Sequence, residues 1–310
     1  MHFARFALPL SAENTLKMKR IFIATLLACL VLTAGAQEND EQLVTLKNGE
    51  VTMTIDVAKG GKILSFRYQD KEMLSQSRWP ESFGSTFWTS PQKEWNWPPV
   101  AEFDKATYTI VSGGDSDNRL VIKSPVCERL GGLRVTKDFS TEAPSGAVGR
   151  GFVVTYSITN EGNEPRRVAP WEITRVKNED GIIFFEAPVD SIWPAGLMTF
   201  EAKYGAAWYK TDEAPQNRKV NADGRGWLAY CANGLLLVKK FQDLEKNEPA
   251  PGEAEVQVYV NRGKTYIELE SQGAYTLLQP GEQLHWTVRW FLLPVDATAN
   301  PAKELLKLVK

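Results

Sequence analysis

The stretch Leu284-His285-Trp286-Thr287-Val288-Arg289-Trp290-Phe291-Leu292 decides the fold class. In an extended chain, Leu284, Trp286, Val288, Trp290 and Leu292 fall on one side, and His285, Thr287, Arg289 and Phe291 on the other. One fully apolar face marks an antiparallel strand packed on one side. The pattern returns in Phe152, Val154, Tyr156 and Ile158, which alternate with Val153, Thr155, Ser157 and Thr159. It returns again in Val51, Met53, Ile55 and Val57, interleaved with Thr52, Thr54 and Asp56. Further strands are expected at 62–68, 106–111, 119–123, 133–139, 167–176, 181–186, 226–231, 235–241, 254–260 and 265–270. Turn clusters such as Gln69-Asp70-Lys71 and Asn160-Glu161-Gly162-Asn163-Glu164-Pro165 separate them. A single helix is expected near the C-terminus: Asn300 can cap it, Pro301 suits its first position, and Leu305, Leu306 and Val309 form an apolar stripe. Many strands and almost no helix mean an all-β sandwich or barrel. Trp286, Trp290 and Trp227 are expected in its core.

At the N-terminus, Lys19 and Arg20 precede the apolar run Ile21 to Leu32, and Ala34-Gly35-Ala36 offers a cleavage site before Gln37. Basic, apolar and small residues in that order are a secretory signal peptide. Met18 offers an alternative start, which would make residues 1–17 an upstream extension. Leu26-Leu27-Ala28-Cys29 resembles a lipoprotein box, but the apolar run continues to Leu32, which favours cleavage after Ala36. The expectation is a single domain over 37–310, periplasmic or secreted. No second apolar run is long enough to span a bilayer.

Residues 1–36 carry Arg5, Lys17, Lys19 and Arg20 against Glu13, so their loss takes the formal charge from −2 to −5. That gives no electrostatic case for nucleic acid or an anionic membrane. Cys127 and Cys231 remain, as one disulfide or as two buried thiols. The only histidines are His2 and His285. A zinc site or a histidine-based triad is therefore not expected, no calcium-loop motif is present, and no metal or cofactor is assigned.

The segment 84–99 holds Trp88, Trp95 and Trp97 among Pro91, Pro98 and Pro99. It has neither helical period nor clean alternation and reads as a loop. A proline-stiffened loop with three indoles suits ring stacking on a sugar, with Gln92 as a polar contact. The same composition suits a loop folded back on the body, its indoles forming a small core of their own. In Thr265-Tyr266-Ile267-Glu268-Leu269-Glu270, alternation places Tyr266, Glu268 and Glu270 on one face. Two carboxylates need partners or water, so that face is solvent-exposed or lines a polar cavity. Trp171 and Glu172 are neighbours and point to opposite faces if extended; Arg175 or Arg129 could pair with Glu172. Arg67 could bond a hydroxyl or a carboxylate, and Trp193 lies in a loop that could join a site.

Several segments carry a resemblance. They are Asn48-Gly49 with Gly60-Gly61-Lys62-Ile63-Leu64-Ser65-Phe66; Phe87-Trp88-Thr89-Ser90-Pro91-Gln92 with Trp95-Asn96-Trp97-Pro98; Tyr156-Ser157-Ile158-Thr159-Asn160 leading to Pro170-Trp171-Glu172; and Tyr266 to Gln272 with Pro280-Gly281-Glu282. In that order they resemble the galactose mutarotase-like (aldose 1-epimerase-type) superfamily, and more closely its secreted bacterial DUF4380 group. The resemblance implies a large antiparallel β-sandwich and a carbohydrate ligand. Leu269-Glu270-Ser271-Gln272 resembles the segment that carries the mutarotase base, which makes Glu270 the expected base. The family's acid is a histidine, which this chain lacks; Glu172 stands near its place and could substitute if an apolar neighbourhood raised its pKa. Three readings stay open: an enzyme acting at an anomeric centre, with Glu270 as base and Glu172 as acid; a non-catalytic carbohydrate-binding protein; and an envelope interaction protein. The missing histidines favour the second.

Overall fold

The computed structural model describes residues 42–77, 82–145, 149–296 and 301–309. The expected signal segment, Cys29 and the Asn300 cap lie outside them. Two antiparallel sheets form a β-sandwich. The first runs Leu43–Asn48, Val51–Asp56, Lys62–Tyr68, Ser85–Ser90, Arg166–Lys177, Tyr266–Gln272, Val256–Val260, Arg218–Ala222. The second runs Glu201–Lys203, Ala206–Lys210, Ile182–Phe185, Trp227–Ala232, Leu235–Lys240, Gln283–Pro294, Gly149–Asn160, Leu133–Ser145, Arg119–Lys123, Thr109–Gly114. The helix Pro301–Val309 buries Leu305, Leu306 and Val309 as its stripe requires.

The core lies between the sheets. Phe66 of the first meets Phe152 and Trp290 of the second edge-on, and Phe87 stacks on Tyr156 with ring centroids 4.4 Å apart. Trp227, Trp286 and Trp290 are buried, as their alternation requires. Cys127 and Cys231 are two buried free thiols, each pushed up to about 11 by burial.

The segment 84–99 is a loop only in part. Ser85–Ser90 is a strand held between Lys62–Tyr68 and Arg166–Lys177, and all six of its residues are buried. Each of its faces mixes one aromatic with two hydroxyl residues (Ser85, Phe87, Thr89 and Thr86, Trp88, Ser90), so neither is apolar and periodicity missed it. A 3-10 turn, Gln92–Glu94, follows. The Gly60-Gly61 turn has its own cause. Both residues have positive φ, and a Cβ would meet the Asp104 carbonyl oxygen at 2.4 Å or the Ile122 side chain at 2.4 Å. The carbonyls of both glycines accept hydrogen bonds from Lys137 Nζ, at 2.7 and 3.1 Å.

Candidate binding site on the outer face

Register defines the outer face of the first sheet. Trp171 pairs with Trp88 on one side and Gln272 on the other; Arg175 pairs with Glu268; Glu270 pairs with Gln257, and Glu268 with Tyr259. Lys219 pairs with Tyr259, and Asn221 with Gln257. Directly opposed residues share a face. Trp171, Arg175, Glu268, Glu270, Gln257, Lys219 and Asn221 are thus gathered on one surface by strand alternation alone.

On this surface Trp88, Trp95 and Trp171 form a cluster, with centroids 5.4 Å (Trp88–Trp171), 5.6 Å (Trp88–Trp95) and 6.4 Å (Trp95–Trp171) apart. Their N–H groups are satisfied: Trp88 donates to Asp104 Oδ1 at 2.9 Å, Trp95 to the Thr89 carbonyl at 2.8 Å, and Trp171 to Glu270 Oε2 at 2.9 Å. Arg129 is used here too, donating to the Trp95 carbonyl at 2.7 Å. Trp88 and Trp95 are buried and so do not serve as an open stacking platform; Trp171, 2% exposed, is no more open than they are. Trp88 and Trp95 are the small core of a folded-back segment. The chain then turns at Asn96 (φ 54°), and Trp97 stands outside, 70% exposed and edge-on to Trp88 at 6.0 Å.

A cavity of about 530 Å³ opens beside Trp97. Trp171 and Lys219 line it together with the amides of Gln92, Asn96, Asn221 and Gln257. Glu253 also lines it, and accepts hydrogen bonds from Ser90 Oγ, the Gln92 backbone N–H and the Gln272 amide. Trp193 lies alongside, paired through its backbone with Asn221. Across Trp97 lies a second cavity of about 400 Å³, whose lining includes Trp88, Pro98, Pro99, Arg175, Tyr266 and Glu268. Arg175 Nε donates to Glu268 Oε1 at 2.9 Å, so Arg175 is the partner of Glu268 and not of Glu172.

Glu270 lies under the first cavity, 1% exposed. Its Oε2 receives Lys219 Nζ at 2.8 Å and the Trp171 N–H, while Oε1 has no hydrogen-bond partner among the described residues. Burial pushes its carboxyl up from the ordinary value, against the Lys219 charge that pulls it down.

Glu172 is on the other side of the sheet. It projects into the sandwich core, fully buried, with Lys239 Nζ 2.6 Å from its Oε1. Tyr156 and Trp290 donate to its Oε2. It therefore shares no cavity with Glu270, and the expected acid–base pair is not assembled. The physical reason is the alternation noted above: Trp171 takes the outer face, so Glu172 must take the inner one. Arg67 is also away from the site; it is exposed and donates to the Asp70 carbonyl of its own hairpin.

Lys219, Asn221, Gln257, Glu253 and Asn96 were not among the site residues expected from sequence. Gln257 and Tyr259 alternate with Val256, Val258 and Val260, so the argument that singled out Glu268 and Glu270 would also have found them. Among the described residues no cluster of three or more His, Cys, Asp or Glu is placed to hold a metal ion, and no helix is long and apolar enough to cross a membrane.

No protein-family model matches the sequence, and no curated protein matches it by sequence. Solved structures match by shape. An aldose 1-epimerase candidate from Escherichia coli K12 superposes with a TM-score of 0.61 at 13% identity, over 83% of this chain and 100% of that one. A galactose mutarotase-like protein from Lactobacillus casei gives 0.56 at 12%, over 81% and 100%. A galactose mutarotase related enzyme from Lactobacillus acidophilus gives 0.56 at 9%, over 82% and 99%. This chain shares the fold of the galactose mutarotase-like proteins.

Proposed function

We propose that this protein binds carbohydrate on the outer face of its first sheet, in the cavity beside Trp97, and does so without catalysing a reaction. The observation that carries the reading is the composition of that cavity. The exposed indole of Trp97 and the nearly buried Trp171 adjoin four side-chain amides, two ammoniums (Lys93 and Lys219) and a carboxylate. Sugars need this pairing of apolar ring surface with dense two-way hydrogen bonding. The fold shared with mutarotase-like proteins agrees with the reading but does not supply it. Export through the N-terminal segment, with cleavage after Ala36, and kinship with the DUF4380 group belong to the same proposal. A periplasmic or secreted protein whose first residue is Gln37 is the expected product.

The experiment is proton NMR of the purified protein with mono- and oligosaccharides, following line broadening and α/β exchange. Broadening without faster exchange supports a binding protein. No broadening with any sugar overturns it.

One observation favours a second reading. The buried, unpartnered Oε1 of Glu270, on a carboxyl pushed up by burial, has the character of a general base. In that chemistry Glu270 would take the proton of the anomeric hydroxyl. Lys219, not Glu172, would be the donor to the ring oxygen, after swinging off Glu270. Accelerated α/β exchange, lost in Glu270→Gln, would establish it.

A further inference from the structure

The loop Gln92–Pro99 is a ridge with a cavity on each flank. Gln92, Lys93 and Asn96 line the 530 Å³ cavity, Pro98 and Pro99 line the 400 Å³ cavity, and Trp97 between them lines both. On the sheet beneath, Trp171 lines the first and Arg175 the second. These residues are four apart on one strand, about 13 Å at strand rise. The cavities are therefore offset along the strands and meet only at an indole that is 70% exposed. Each volume falls within the range of a small-ligand site. A single sugar ring seated on one side of Trp97 leaves the other cavity unfilled.

We infer that the natural ligand is an extended oligosaccharide lying across Trp97, with sugar units in both cavities. This rests on the carbohydrate reading above and adds the length of the ligand and its path. The first cavity, with Trp171 and the amides of Asn221 and Gln257, seats one unit. The indole of Trp97 carries the chain over the ridge. In the second cavity the chain meets the Arg175–Glu268 pair and Tyr266. That pair is a fixed donor and acceptor, held at 2.9 Å with both side chains largely buried, and it can bond hydroxyls on neighbouring carbons without being ordered on binding. Two cavities joined by one rigid ridge act as linked sites, so affinity grows with chain length until both are filled.

The test is isothermal titration calorimetry of the intact protein with matched series of one to four units: β-1,4-linked glucose, α-1,4-linked glucose, β-1,4-linked galactose and α-1,4-linked galacturonate. In at least one series, affinity is expected to rise tenfold or more between one unit and four. In Trp97→Ala and in Tyr266→Ala the ratio of tetrasaccharide to monosaccharide affinity falls toward one. In Asn221→Ala affinity drops for every length and the ratio survives. Melting curves of each variant confirm that it folds, and the exposed position of Trp97 makes that variant the safest. A sugar that binds with the same affinity at every length overturns the two-cavity proposal and leaves carbohydrate binding standing. Binding of no sugar in any series overturns both.

Discussion

Each face of the first sheet meets the same trio of side chains, the inner one completed by Lys239 and Trp290 of the second sheet and the outer one by the first sheet alone, and the two trios do opposite work. On the inner face Glu172 meets Lys239 at 2.6 Å and the Trp290 N–H at 3.2 Å. On the outer face Glu270 meets Lys219 at 2.8 Å and the Trp171 N–H at 2.9 Å. The difference is water. Lys239 is sealed in the core, while Lys219 is about one-third exposed and lines a cavity. A sealed ion pair can only hold structure together. One whose cation borders a cavity can exchange partners with a ligand. Chemistry on paper would have treated Glu172 and Glu270 as equals; access separates them.

The largest effect should come from breaking the inner trio. Lys239 donates to Thr174 Oγ1 at 2.8 Å as well as pairing with Glu172, and burial lowers its pKa against the pull of that carboxylate. Lys239→Met leaves Glu172 buried with only Tyr156 and Trp290 as donors, and the loss expected is about 3–5 kcal/mol in urea unfolding. Glu172→Leu with Lys239→Met should recover most of it, because no uncompensated charge remains. A single variant as stable as the parent would mean that the inner pair is not sealed.

Alternation explains how much of this was legible. The inner faces of Phe152 to Ile158 and Leu284 to Leu292 could be read because each presents an unbroken apolar side. Alternation also separated Trp171 from Glu172, yet it could not say which of them faces the core. Hydrophobicity alone would turn Trp171 toward the core between the sheets and Glu172 toward the outer face. The chain does otherwise because Lys239, far away in sequence, supplies a buried partner. Ser85–Ser90 escaped because each of its faces mixes one aromatic with two hydroxyl residues. Arg218–Ala222, which brings Lys219 and Asn221 to the site, offers only Val220 and the small Ala222 as apolar anchors, too short a signal for any period.

A second buried cation sharpens the contrast. Lys137 is sealed between the sheets against the Gly60 and Gly61 carbonyls, with the rings of Phe87, Tyr108 and Tyr156 within 6.0 Å. Among the described residues no carboxylate pairs with it as Glu172 pairs with Lys239, and burial lowers its pKa to about 7 from 10.5. The folded state then binds fewer protons than the unfolded state between those values. Stability should therefore rise as pH climbs from about 7 toward 10.5, by up to about 1.4 kcal/mol per pH unit. Lys137→Met should flatten that rise, measured as the difference in unfolding free energy between parent and variant at pH 7 and pH 9. A parallel pair of pH profiles would show that Lys137 is not the source.

Breaking the outer trio should cost less. Lys219→Met leaves Glu270 with the Trp171 N–H alone. Partial exposure of the ammonium screens the pair, so the expected loss is on the order of 1 kcal/mol near pH 7. The sign of its pH dependence follows from Glu270. A carboxyl raised in the folded state destabilises above its unfolded value of about 4.5. Removing Lys219 raises it further, so the deficit of the variant should grow from pH 4.5 upward and vanish below it. Denaturation at pH 4 and pH 7 checks this; an equal deficit at both would assign the loss to packing.

The smallest effect on stability belongs to the residue with the largest expected effect on binding. Trp97 touches Trp88 edge-on at 6.0 Å but leaves most of its indole in solvent, so truncation removes little buried surface. Trp97→Ala should change the unfolding free energy by no more than about 0.5 kcal/mol. Trp95→Ala, two residues earlier, empties a fully buried position and should cost about 3–5 kcal/mol. The pair separates the two uses of tryptophan in one short segment. A loss above about 1.5 kcal/mol for Trp97→Ala would make that indole part of the same small core as Trp95, and the ridge between the two cavities would then be a structural lid instead of a surface kept open for a ligand.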